Sequence, residues 1–154
     1  MIFETTKEDD QALVAGVSPR GLRAADSPVA EAAVLNMLCD LAARIRADFA
    51  PASWLIVEEG ELVGMCSITR PPCDGGVDIG YGIAPTRRGC GIAGRAIGEV
   101  VTWAVADPRV RRLTAETGTD NIASQRVLAR NGFAVVGERV DDEDGPLICW
   151  QRDC

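Results

Sequence analysis

Eight consecutive residues, Arg87-Arg88-Gly89-Cys90-Gly91-Ile92-Ala93-Gly94, concentrate the chemistry that this sequence can offer. Glycines let a backbone pass close to a ligand and turn its amides toward it. An apolar stripe begins at Ile92 and continues through Ala96, Ile97, Val100, Val101, Ala104 and Val105, so the loop opens into a helix. A helix start presents amides without partners and the positive end of its dipole. Together these features seat a diphosphate without a metal ion. Arg87 and Arg88 can reinforce that seat, Arg88 more than Arg87, although an arginine pair is equally ordinary on a solvated face. Cys90 has no histidine to activate it and reads as a loop residue rather than a nucleophile.

The chain of 154 residues contains no histidine. That removes Ser-His-Asp and Cys-His nucleophile pairs and every histidine metal site. A general base must then be a carboxylate, a lysine, a tyrosine, a terminal amine or a relayed water. The one tyrosine, Tyr81, reads as a cleft wall or core residue. Six cysteines lack C-x-x-C spacing and read as reduced thiols, so no metal is expected. Net charge is −7, which disfavours binding to nucleic acid. No apolar run approaches the roughly 20 residues of a membrane span, and the acidic N-terminus lacks a signal-peptide layout. A cytoplasmic location is the default expectation.

The remaining pattern predicts the elements that must hold this loop. Thr6 to Ala15 reads as a short helix with Asp9 three residues after the Thr6 cap. A second helix is expected from Ser27 as cap and Pro28 as first residue, through Val34, Leu35, Leu38, Leu41, Ala42 and Ile45, and closed by Pro51. Trp54–Glu58 and Leu62–Thr69 read as a hairpin, and Val77–Ile83 as a third strand ended by Pro85. After the glycine-loop helix, stopped at Asp107-Pro108, come a strand over Val110–Thr117 and a helix over Asn121–Arg130, capped by Thr119 or Asp120 and broken at Gly132. A closing hairpin pairs Phe133–Val140 with Leu147–Arg152. Hairpins at both ends and one strand–helix–strand unit between them predict an α+β fold on a mixed sheet, as one domain over residues 1–154.

Gly89, Gly91 and Gly94 also satisfy the dinucleotide fingerprint G-x-G-x-x-G, with Glu116 roughly 20 residues on. Context argues against that reading. Pro85 and two arginines separate the strand from the first glycine, and too few residues remain for further strand–helix units. The pattern Arg-x-x-Gly-x-Ala, met by Arg88, Gly91 and Ala93, points elsewhere. With Val77–Ile83, Leu113-Thr114-Ala115-Glu116 and Asn121–Phe133 following in order, the chain resembles the GNAT superfamily of acyl-CoA N-acyltransferases. Within it, the branch of the ribosomal-protein N-terminal acetyltransferases RimJ and RimL fits best. The first fifty residues match poorly.

The resemblance implies a splayed, mixed, mostly antiparallel sheet flanked by helices. It implies acetyl-CoA as co-substrate, with the pantetheine arm paired to backbone near Ile83 and Ala84. The pyrophosphate would be held by the amides of Arg88, Gly89, Cys90, Gly91, Ile92, Ala93 and Gly94. The implied reaction is direct transfer of acetyl to a primary amine, on a protein N-terminus or a small molecule. A neutral amine needs a proton acceptor, because a typical amine is protonated at neutral pH. Glu116 on the fifth family strand is the preferred acceptor and Asp78 on the fourth is the second. Each can instead serve as the ion-pair partner of an arginine such as Arg112. Asn121 and Ser124 lie three apart at a helix start and share a face. The resemblance brings both toward the coenzyme sulfur, with Ser124 as proton donor to the thiolate. Many relatives use a tyrosine seven residues after the asparagine, where this chain has Leu128. That departure keeps open an alternative, a non-catalytic acyl-CoA sensor of the same fold. Monomer and homodimer are both compatible with the sequence.

Overall fold

A computed structural model describes Met1–Cys154. Its elements are β1 (Ile2–Glu4), α1 (Lys7–Val14), β2 (Arg23–Ala24), α2 (Ala32–Arg46), β3 (Ser53–Glu58), β4 (Glu61–Ile68), β5 (Gly76–Ile83), α3 (Ile92–Ala106), β6 (Arg112–Gly118), α4 (Ile122–Arg130), β7 (Ala134–Asp141) and β8 (Gly145–Asp153). The strands form one sheet in the order β1-β3-β4-β5-β6-β8-β7, with β2 alongside the start of β4. Only β2–β4 and β5–β6 are parallel; the other pairs are antiparallel. The expected α+β class holds.

Local chemistry explains most boundaries. Thr6 and Asp9 cap α1 reciprocally, side chain to backbone in both directions. The β3–β4 hairpin turns through Glu59 and Gly60, both at positive φ. Asn121 caps α4 by accepting the Ser124 amide at 3.2 Å, so the cap lies one residue beyond Asp120 and two beyond Thr119, the expected caps.

The start of α2 differs from expectation. The helix begins at Ala32, after Glu31, and ends at Arg46, before Pro51. Ser27 does not cap it. Its hydroxyl bonds the Thr86 hydroxyl at 2.8 Å and accepts the Thr86 amide at 3.1 Å, anchoring this segment beside β5. Tertiary contact has overridden a local capping signal. The strands β1 and β2 were not expected either, because two or three residues carry too little periodicity to register.

The largest apolar cluster joins Ile97, Val100 and Ala104 of α3 to Val77, Ile79, Leu113, Ala115 and Trp150 of the central strands, with Leu128 of α4 and Phe133. A second cluster gathers Leu13 of α1 and Cys39 of α2 over Leu55, Val57, Leu62 and Met65. All six cysteines are free thiols. No helix is long and apolar enough to cross a membrane. Leu128, fully buried, fixes α4 against the sheet. Leu128→Ala is expected to destabilise the fold by about 3 kcal/mol, read as a lower urea midpoint with an unchanged slope.

Candidate active site

β5 pairs with β6 only from Gly76↔Arg112 to Ile79↔Ala115. Beyond that point β6 continues with β8 as far as Gly118↔Leu147, while β5 continues with β4 as far as Ile83↔Gly64. The two central strands therefore part after Ile79. On β5 the Asp78 carbonyl accepts the Thr69 amide and the Ala84 amide donates to Val63, so even-numbered residues turn their backbone groups toward β4. By alternation, those of Tyr81 and Ile83 face the opening. The Ile83 carbonyl there accepts Arg88 Nε at 3.0 Å. Ala84, expected to pair a ligand, is instead fully buried with its amide bonded to Val63 at 2.8 Å, so it is Tyr81 and Ile83 whose backbone groups face the opening.

A cavity of about 400 Å³ fills the opening. One wall is the loop and first turn of α3: Arg88, Gly89, Gly91, Ile92, Ala93 and Gly94. The other is the start of α4, with Asn121, Ala123, Ser124 and Val127, and the floor is Tyr81, Gly82 and Ile83. Cys90 is exposed and does not line the cavity. The amides of residues 89 to 94, six in a row, donate to no group of the protein; the first helical bond is Arg95 to the Gly91 carbonyl. Gly89 and Gly91 hold φ of 81° and 75°, which side-chain-bearing residues adopt at a cost of about 1–2 kcal/mol. The loop is braced from both sides. Arg95 donates to the Cys90 carbonyl at 3.1 Å, and Asn131 Nδ2 ties the Gly94 carbonyl of α3 to the Val127 carbonyl of α4, at 3.2 and 2.9 Å. Arg87 reaches the cavity but is engaged by Glu61, at 2.5 and 3.1 Å, and that guanidinium holds the Glu61 carboxyl below its ordinary range.

A second cavity, about 220 Å³, lies between α2 and the β4–β5 pair. Tyr81 and Gly82 line both cavities, so the two meet on β5. The Tyr81 hydroxyl donates to the Ser124 carbonyl at 3.3 Å, and burial pushes its phenol up to about 12. The phenol is a wall that stays neutral at ordinary pH. Sequence reading missed this second cavity entirely.

The two candidate carboxylates are not equivalent. Glu116 accepts Arg139 at 2.5 and 3.1 Å and Arg70 at 3.1 Å, and it lines neither cavity. Asp78 is buried; it accepts the Thr114 hydroxyl at 2.6 Å and the hydroxyl of Thr69, with Arg70 at 3.3 Å. Thr69 itself lines the second cavity, so Asp78 reaches that cavity through one hydroxyl. Arg112, the expected partner of either acid, donates instead to the Asp74 carbonyl at 3.2 Å. No cluster of groups that could hold a metal ion is present.

Comparison with known proteins fits this geometry. The model of the acetyltransferase (GNAT) domain matches residues 2–134. The uncharacterized N-acetyltransferase YjdG of Bacillus subtilis (strain 168) is 32% identical over 84 residues, 53% of this chain and 50% of that one. The ribosomal-protein-serine acetyltransferase of Escherichia coli (strain K12) is 31% identical over 85 residues, 54% of this chain and 48% of that one. The matched segment thus spans about half the length of these curated relatives. Among solved structures, RimL, a ribosomal alpha-N-protein acetyltransferase in complex with coenzyme A, superimposes with a TM-score of 0.70 at 20% identity, over 99% of this chain and 92% of that one. That likeness concerns the fold. The family model covers most of the chain, and on that match this protein belongs to the GNAT acetyltransferase domain family.

Proposed function

We propose that this protein transfers acetyl from acetyl-CoA to a primary amine within a single ternary complex. The observation that carries this reading is the run of six unpartnered amides at residues 89 to 94 beside the parted strands. Such a run, at a helix start, suits a pyrophosphate, and the gap suits an extended pantetheine arm. The presence of coenzyme A in the RimL structure of the same fold supports the same use of the opening.

Acceptor and thioester then meet where the two cavities join, at Tyr81 and Gly82. The acceptor ammonium gives a proton to the Thr69 hydroxyl while that hydroxyl passes its own to Asp78, leaving a neutral amine. The amine attacks the thioester carbonyl, and a backbone amide facing the gap, that of Tyr81 or Ile83, receives the oxyanion. As the carbon–sulfur bond breaks, the Ser124 hydroxyl protonates the thiolate and is restored from the nitrogen of the collapsing adduct. Asn121 holds the Ser124 amide, so its part is to position. Asp78 is favoured over Glu116 because it has a route to the acceptor cavity, whereas Glu116 is committed to two guanidiniums. The same one-domain reading extends over residues 1–154.

Calorimetry with CoA and acetyl-CoA, followed by free-thiol release over an amine and peptide panel, tests the proposal. Binding of both coenzymes at about 1–100 μM with acceptor-dependent thiol release is the expected result. Tight binding without turnover on any amine would establish the alternative, a non-catalytic acyl-CoA sensor. Absence of binding would remove both.

A further inference from the structure

Between β2 and α2 the chain has no helix or strand over residues 25–31, and it crosses β5 where the two cavities meet. The Val29 carbonyl lies 3.9 Å from the place that a Cβ on Gly82 would take. Val29 and Ala30 line the second cavity, and Val29 packs on the cluster that contains Leu55 and Met65. One end of this strap is fixed by β2, which pairs with the start of β4. The other end runs into α2, whose cap residue Glu31 makes no side-chain bond and whose first turn carries no acid. Such a helix start is held by the segment before it rather than by its own chemistry. Val34 and Leu38, in the first two turns, complete the cavity wall.

The middle of the strap is attached to the stem of the glycine loop. The Ser27 hydroxyl bonds the Thr86 hydroxyl at 2.8 Å and accepts the Thr86 amide at 3.1 Å. Thr86 sits in the 3-10 turn Pro85–Arg87, tied back by the Arg87 amide to the Ala84 carbonyl at 2.8 Å. Arg88 and Gly89, which line the first cavity, follow without a break. Asp26 also meets Arg87 at 3.4 Å, but its carboxylate is 77% exposed, so that pair holds little. The attachment therefore rests on Ser27 and Thr86, and neither residue lines a cavity.

We propose that Ser27 and Thr86 are positioning residues that make the acceptor wall depend on the coenzyme. A pyrophosphate held by the amides of residues 89 to 94 stiffens the turn before them. Through the hydroxyl pair, the strap and the start of α2 stiffen with it. This rests on the acetyl-transfer reading above. A ligand that removes motion at one end of a linked segment lowers the cost of ordering the other end, and so couples two sites without a change of shape. The coupling is reciprocal, so an amine seated against Val29 and Val34 tightens the hold on the coenzyme by the same factor.

The test is hydrogen–deuterium exchange on the full chain, with and without saturating CoA, beside calorimetry with CoA. Amides 35–39 report on the first turns of α2, none of which lines the coenzyme cavity. In the wild type, CoA is expected to slow their exchange about fivefold or more. In Ser27→Ala and Thr86→Val these amides exchange faster, and CoA changes their rate by less than about twofold while its Kd stays within about threefold. Ser27→Thr keeps the hydroxyl and keeps the CoA effect. If Ser27 served stability alone, Ser27→Ala would speed exchange equally with and without CoA, and that result overturns the proposal. Binding of CoA to the wild type with no slowing at 35–39 overturns it as well and leaves the coenzyme site standing. Should Ser27→Ala not fold, Thr86→Val carries the comparison. Failure of the wild type to bind CoA removes the reading beneath the proposal and the proposal with it.

Discussion

Gly91→Asp is expected to raise the Kd for acetyl-CoA at least about a hundredfold while lowering the melting temperature by no more than about 8 °C. Gly91 precedes α3 as its cap residue and lacks a capping side chain. An aspartate held at that positive φ costs about 1–2 kcal/mol, and its Cβ comes within 3.2 Å of the Arg95 guanidinium. Its carboxylate would sit where the pyrophosphate must sit. The dipole end acquires a negative neighbour, which repels a second anion. A hundredfold change corresponds to about 2.7 kcal/mol. Calorimetry beside thermal melting separates the two effects. An unaltered Kd would show that the coenzyme lies elsewhere.

The second large effect concerns the proton acceptor. Asp78→Asn should lower kcat about a hundredfold with coenzyme affinity unchanged, because the amide keeps the size of the acid but cannot take a proton. Glu116→Gln should lower kcat no more than about threefold, through looser Arg70 and Arg139 rather than through lost basicity. Thr69→Val provides the third arm. If the Asp78 route is correct it mimics Asp78→Asn, since the valine cannot relay. The reverse order, with Glu116→Gln the more damaging, would return the role to Glu116.

The geometry of the proposed coenzyme half of the site was legible because its chemistry is local. Gly89, Gly91 and Ala93, the stripe from Ile92 and the Asn121–Ser124 spacing all lie within short windows whose meaning survives folding. Ala84 was expected beside the opening, but its amide bonds Val63, since strand alternation decides which amide faces the opening and sequence does not show the phase. The proposed acceptor half was not legible. Ser67 and Gly80 meet only through the β4–β5 register, whose phase follows from turn geometry and tertiary packing. The wall formed by Val29, Ala30, Val34 and Leu38 depends on where α2 starts, and Ser27 looked like its cap but bonds Thr86 instead. Glu116 looked eligible as a base because Arg70 and Arg139, its two partners, are 46 and 23 residues away in the chain.

The Asn131 side chain bonds the first turn of α3 and the last turn of α4 at once. It ties the helix that follows the glycine loop to the helix that carries Ser124. Ligand arrival then has little backbone left to immobilise in either helix, so affinity there depends on contacts rather than on ordering.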